Sequence, residues 1–347
     1  MDISGRKADH LDLTAKADVG FRRSTLFECV EFIHDSLPEM DFNQLDLSTT
    51  LLGKPIRAPI VIAAMTGGTE RAKKINEGLC NVAEEMGLGF GLGSQRPMLL
   101  DASTTSSYQM RSVAPNALIL GNIGGVQATQ LTVRAVCKLA NDVGADALCV
   151  HLNPAMELIQ LEGDRDFRGV LDKIEELVRE ATVPIVVKET GSGISLDVAC
   201  RLRARGVRHV DVSGAGGTSW VAVETERLPL SRKTLGETFR EWGIPTAASV
   251  AFCRRFPFDT IIATGGIATG LDVAKAISLG ATAAGIARPI LIAHEQGGVP
   301  AVRAYLERTI AELRTAMLLV AARNLGELSR RARLIHAPLS EWLRLSV

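Results

Sequence analysis

The side chains with the most chemical reach stand at the ends of short aliphatic runs. Lys188 closes PIVVK (184–188), and an ammonium at the end of an otherwise apolar strand requires an anionic partner, because an unpaired buried charge is costly. Glu189 follows it directly, but neighbouring residues of a strand point to opposite faces, which turns Lys188 away from it. A lysine so placed could stabilise the negative charge that reduced flavin carries near N1, join a structural ion pair, or act as a Schiff-base nucleophile. His151 and Asn153 in HLNPAMELIQLEGDRD share one side of a strand by its period of two, so both could face a ligand. Glu157 in the same segment has the oxygen chemistry of a magnesium ligand, since that ion takes one or two carboxylates together with phosphate and water. Ser94, Gln95 and Arg96 follow another aliphatic run, and with Arg6 and Lys7 near the N-terminus they offer convergent groups suited to a diphosphate.

A second anion signal is bipartite. TGGI (264–267) closes one aliphatic run, and GIARP (285–289) closes the next and opens a helix. Barrel proteins hold phosphate between the loops after strands 7 and 8, using backbone N–H groups and a helix N-terminus. The glycines let backbone approach a ligand closely, and Arg288 adds charge. The first strand is not followed by GxGxxG, so a Rossmann nucleotide site is not expected.

These groups need a frame, and the chain supplies a rhythm for one. Eight aliphatic runs end in glycine or polar residues: PIVIAA (59–64), LGFGLG (88–93), ALILGN (117–122), ALCVHL (147–152), PIVVKE (184–189), HVDVSG (209–214), TIIATGG (260–266) and AAGIAR (283–288). Amphipathic segments separate them, and Gly144, Gly206 and Gly280 stand where helices would end in the left-handed region. Eight strands alternating with helices over about 230 residues predict an α/β fold, a (β/α)8 TIM barrel, with a doubly wound sheet as the alternative. In a barrel every strand end listed above opens on one face, so a single cleft collects them. Residues 1–57 read as an N-terminal arm that contributes to the substrate site. Residues 58–347 read as the barrel with C-terminal helices, one or two of them within 300–346.

Composition narrows the partners. The 39 basic and 39 acidic residues cancel, which leaves no footprint for nucleic acid or an anionic membrane. The uncharged stretch 112–133 is interrupted by Pro115, Asn116 and Asn122 and does not read as a membrane span. Cysteines at 29, 80, 137, 149, 200 and 253 lack zinc or redox spacing and read as reduced intracellular thiols. The polar opening MDISGRKADHLD has no secretory core, so the expected location is cytoplasmic.

In combination and in order, RKADHL, AMTGG, GSQR, GNIGG, HLNPAMELIQLEGDRDF, VVKETG, SGAGGTSW, ATGGI and ARP resemble the type 2 isopentenyl diphosphate isomerases over nearly the whole chain. The resemblance implies an FMN-binding TIM barrel that interconverts isopentenyl and dimethylallyl diphosphate with Mg2+. It also implies NADPH as reductant of the flavin, no net electron consumption, and a homo-oligomer of four or eight subunits. Carried onto this sequence, it implies FMN contacts from Ala64, Met65, Thr66, Ser94, Asn122, Lys188, Ser213 and Thr218. The cofactor phosphate would lie against Gly265, Gly266, Ile267, Ala287 and Arg288. Arg6, Lys7, Ser94, Arg96, His151 and Asn153 would bind the isoprenyl diphosphate, and Glu157 would hold the metal. Reduced FMN would act as acid and base, assisted by His151, Asn153 and Lys188.

One position departs from the resemblance. The family pattern HLNxxQE has glutamine before the metal-binding glutamate, with a proposed part in proton transfer, and here that position is Met156. A thioether is only a weak acceptor and relays no proton. This leaves an FMN-binding paralogue with altered or lost isomerase activity as an alternative. An FMN-dependent 2-hydroxyacid oxidase or dehydrogenase is a more distant one, because such barrels carry a histidine base after the sixth strand, where this chain reads SGAGGTSW.

Overall fold

The computed structural model describes residues 3–346, without the side chains of residues 3, 4 and 6–8. The substrate contacts expected of Arg6 and Lys7 therefore lie outside the described residues. Eight parallel strands close into a barrel: β1 (Ile60–Ile62), β2 (Gly89–Gly91), β3 (Leu118–Gly124), β4 (Ala147–Leu152), β5 (Ile185–Glu189), β6 (His209–Asp211), β7 (Thr260–Thr264) and β8 (Ala283–Ile286). Each pairs with the next in sequence, and β8 returns to β1. Seven fall within the aliphatic runs and β3 runs two residues past its own, and helices between them begin on side-chain caps such as Thr69, Thr132, Ser195 and Thr269. Gly144, Gly206 and Gly280 have φ of 64°, 81° and 111°, the conformation expected where a helix turns back into a strand.

The period of two turns the strands into a graded stack. Leu118, Leu120 and Asn122 of β3 point inward, as do Ala147, Cys149 and His151 of β4. Val186 then Lys188 of β5, and Ile262 then Thr264 of β7, repeat the sequence of apolar below and polar above. The lower interior is thus a dry cluster and the upper layer a ring of chemically competent groups. An antiparallel hairpin, Thr49–Leu51 with Lys54–Ile56, sends Leu51 and Ile56 into that lower cluster and stops the barrel from below.

The first 57 residues therefore serve both ends of the barrel. A helix over Ile3–Lys16 lies against the short helix Trp220–Glu226 at the top, where Val19 packs on Ala222 and Val223. Val30–Phe32 pairs antiparallel with Arg333–Ile335, tying the N-terminal segment to the C-terminal one. The helix opened by Arg288 runs to Leu319 with a break at Gly297 and Gly298, and only short elements follow it. Among the described residues no helix is long and apolar enough to cross a membrane, and all six cysteines are free thiols.

Candidate active site

The polar ends of the strands enclose a cavity of about 480 Å3 at the top of the barrel. Its centre is a row of register partners on neighbouring strands. His151 on β4 stands beside Lys188 on β5, which stands beside Asp211 on β6. Lys188 donates to Asp211 Oδ2 at 2.8 Å, and both are buried, at 7% and 5% exposure. The anionic partner that an apolar strand demands of its lysine is thus Asp211, while Glu189 turns outward and accepts from the backbone N–H groups of Ser192 and Gly193. Burial pushes the Glu189 carboxyl up to about 8.

Asn122 fixes the histidine. Its Nδ2 donates to the Leu92 carbonyl at 3.2 Å, which leaves Oδ1 to accept from His151 Nδ1 at 2.8 Å. Nε2 is then the acceptor nitrogen. Burial first, then the charges of Lys188 and Arg96, lowers the His151 pKa to about 4, so the ring is neutral at pH 7. An unfolded histidine titrates near 6.5, so above that pH folding gains from the neutral ring, and the gain is lost as the pH falls from 6.5 toward 4. Denaturant unfolding at several pH values is expected to show the wild type losing up to about 3 kcal/mol more than His151→Asn across that window.

The segment after β4 builds the acidic side of the cavity. Glu157, 6% exposed, accepts from Asn153 Nδ2 and from the Asp164 backbone N–H, each at 2.8 Å. Asp164 accepts from Gln127 Nε2 at 2.6 Å and lies 3.9 Å from Arg96. Each carboxylate oxygen of Glu157 keeps a free lone pair after these bonds. Among the described residues no three His, Cys, Asp or Glu side chains cluster as a metal site. One buried carboxylate fits a magnesium ion that takes its remaining ligands from a diphosphate and water. Met156 also lines the cavity, with Gln160 nearby.

The opposite side is backbone. Gly265 and Gly266 have φ of 106° and 76°, and a Cβ on Gly265 would stand 2.2 Å from the Gly214 carbonyl oxygen. A Cβ on Gly266 would reach within 2.7 Å of Gly216 backbone. These glycines therefore also let the loops after β6 and β7 pack main chain to main chain, a role additional to the approach of a phosphate. Gly265→Ala combines a left-handed alanine with that overlap and is expected to cost about 3 kcal/mol, read by chemical denaturation, together with loss of retained flavin on gel filtration.

Four buried threonine hydroxyls around the cavity, on Thr14, Thr66, Thr190 and Thr264, have no hydrogen-bond partner among the described residues. Buried polar groups are ordinarily paired, so these point to a polar ligand. With the glycine cradle, the N-terminus of the helix begun by Arg288, and the cation of Lys188, they fit FMN. Ala64, Met65, Ser94, Ser213, Thr218, Ile267 and Ala287 line the same cavity. Arg288 does so as well, but its Nε and Nη2 donate to the carbonyls of Thr14 and Ala17, so it also ties down the N-terminal helix. His10 from that helix bonds Glu224 at 2.7 Å and stacks edge-on to Trp220, roofing the cavity with Leu11 and Thr14.

Several of these groups were not singled out from sequence. Asp211 sits in HVDVSG as Lys188 sits in PIVVKE, and the same argument about a charge in an apolar strand reaches it. Gln127, Thr190 and Thr264 carried no such signal, because their importance lies in which loops meet.

A closed parallel barrel with a polar cavity at its mouth is an enzyme scaffold, and the glycine cradle and unpaired hydroxyls of this one fit a flavin nucleotide. In agreement, residues 151–335 match the model of the FMN-dependent dehydrogenase family. Solved structures of similar shape include a mandelate oxidase (TM-score 0.66, 16% identity, 94% of this chain and 95% of that one). Flavocytochrome b2 is another (TM-score 0.69, 19% identity, 99% and 85%). At such identities they bear on the fold alone. The chain is 43% identical to the isopentenyl-diphosphate delta-isomerase of Thermococcus onnurineus (strain NA1), over 97% of this chain and 93% of that protein. It is 46% identical to that of Synechococcus sp. (strain ATCC 27144 / PCC 6301 / SAUG 1402/1), over 89% and 90%. The chain belongs to the isopentenyl-diphosphate delta-isomerase family.

Proposed function

We propose that this protein interconverts isopentenyl and dimethylallyl diphosphate, using reduced FMN and Mg2+, with NADPH as reductant, in the cytoplasm and as a homo-oligomer of four or eight subunits. The carrying observation is that Asn122, His151, Asn153, Glu157 and Lys188 converge on one cavity in a chain so similar to isomerases over nearly its full length. The reaction adds a proton to the terminal alkene carbon and removes one from the allylic carbon, with no net redox change.

FMN, when bound, supplies acid–base chemistry at those carbons. The protein's own groups do the rest. Arg96, with Ser94 and Asn153, faces the diphosphate, and Glu157 would hold the metal against it. His151 presents Nε2 as an acceptor, and an arriving polyanion favours its protonation, which turns it into a charge-assisted donor. Lys188 would offer its remaining N–H groups to the flavin. The N-terminal helix, through His10, Leu11 and Thr14, limits water above the site.

Anaerobic incubation with FMN, Mg2+ and NADPH or dithionite is expected to convert isopentenyl to dimethylallyl diphosphate. Product no greater than in a flavin-free blank would overturn the proposal. Met156 favours a second reading, a paralogue that binds FMN and the diphosphate without turnover, and a yellow protein that binds substrate but forms no product would support it. Oxidation of a hydroxy acid is not favoured, since residues 212–220 contain neither histidine nor arginine.

A further inference from the structure

We infer that Asp211 is a positioning residue that sets how much of the Lys188 charge is available to the flavin. The inference rests on the FMN reading above. Lys188 and Asp211 are exact register partners on β5 and β6 and meet at 2.8 Å in the layer that borders the cavity. His151, the partner of Lys188 on the other side, has its Nδ1 committed to Asn122. Cys149 lies one inward position below His151 and its thiol is pushed up to about 12 by burial, so it brings no negative charge. Asp211 is therefore the anion that opposes the lysine in this layer.

Asp211 has a second bond that separates charge from scaffold. Its Oδ1 accepts from the Ser213 backbone N–H at 3.3 Å, at the start of the glycine-rich loop, where Ser213 has a φ of 36°. Asparagine keeps one oxygen for Ser213, turns its amide nitrogen toward Lys188 and loses both the charge and the acceptor that the lysine used. A paired ammonium compensates another anion only partly, whereas an unopposed one in a buried site compensates it strongly. Reduced flavin carries the additional negative charge. Removing the carboxylate should therefore favour reduced over oxidised FMN.

The test is the reduction potential of FMN bound to the full-length protein, measured by dye-coupled titration for wild type, Asp211→Asn, Asp211→Glu and Lys188→Gln. In Asp211→Asn the affinity for reduced relative to oxidised FMN is expected to rise about tenfold, a positive shift of about 30 mV for a two-electron couple. Asp211→Glu should restore a potential near that of wild type, and Lys188→Gln/Asp211→Asn, in which both charges of the pair are gone, should lack the positive shift relative to wild type. A wild-type potential in Asp211→Asn, or a positive shift from wild type that persists in Lys188→Gln/Asp211→Asn, overturns the inference while leaving FMN binding intact. Failure of the wild type to bind FMN overturns the FMN reading and this inference together. Should Asp211→Asn yield no folded flavoprotein, Lys188→Gln decides the matter. It should lower the ratio tenfold or more, because Asp211 then remains as an unopposed anion, and an unchanged ratio overturns the inference.

Discussion

Glu157→Gln is expected to lower kcat/KM for isomerisation by roughly 100- to 1000-fold, about 3–4 kcal/mol of transition-state stabilisation. The residue is buried, and both of its oxygens receive hydrogen bonds, one from Asn153 and one from the Asp164 main chain. Glutamine is isosteric but has one oxygen, so its amide nitrogen must face one of those donors. It also removes the formal charge that this carboxylate would contribute to a magnesium held mainly by substrate, on the function proposed above. The loss should therefore have a metal signature. The Mg2+ concentration for half-maximal activity should rise in Glu157→Gln and fall back in part in Glu157→Asp, while bound flavin absorbance stays as in wild type. An activity loss with an unchanged Mg2+ response would mean that Glu157 acts only by holding Asn153 and the 157–164 turn.

The frame of this site was legible because strand physics is local. An aliphatic run of the right length ending in glycine or a polar residue marks a strand and its upper end, and all eight such runs became barrel strands. The period of two put His151 with Asn153 on one side of their strand and turned Lys188 away from Glu189 without reference to any other part of the chain, whereas Asn122 entered only through the family resemblance. What depends on the meeting of distant segments was not legible. The hairpin at 49–56 is two strands of three residues, and nothing in Leu51 or Ile56 announces that they stop a barrel from below. Gly265 and Gly266 read as phosphate glycines, yet their left-handed backbone also lets two loops touch, a requirement set by Gly214 and Gly216 some fifty residues earlier. Arg288 read as a phosphate cation, yet it also holds two carbonyls of the N-terminal helix. The unpaired threonine hydroxyls belong to the same class, since a threonine is ordinary until its surroundings are known.

Met156→Gln is expected to raise kcat about tenfold or more, with KM for the diphosphate unchanged. Met156 lines the cavity one residue before Glu157, on the short helix Pro154–Ile159 that carries both. Its thioether accepts weakly and donates nothing, so at this position the protein can neither orient a proton donor nor pass a proton on. An amide accepts and donates strongly and so can orient a proton donor at the cost of little volume, and positioned proton transfer contributes about 10²–10⁴-fold to rates in general. The split between kcat and KM follows from position, because on the proposed reading diphosphate binding would fall to Arg6, Lys7, Ser94, Arg96, His151, Asn153 and the metal rather than to residue 156. Steady-state kinetics on the reduced, Mg2+-loaded enzyme distinguishes the cases. A rise in kcat alone identifies residue 156 as the point where proton handling limits this enzyme. An unchanged kcat moves the step to other groups around the cavity, of which Gln160, buried and one helical turn further on, is the next to substitute.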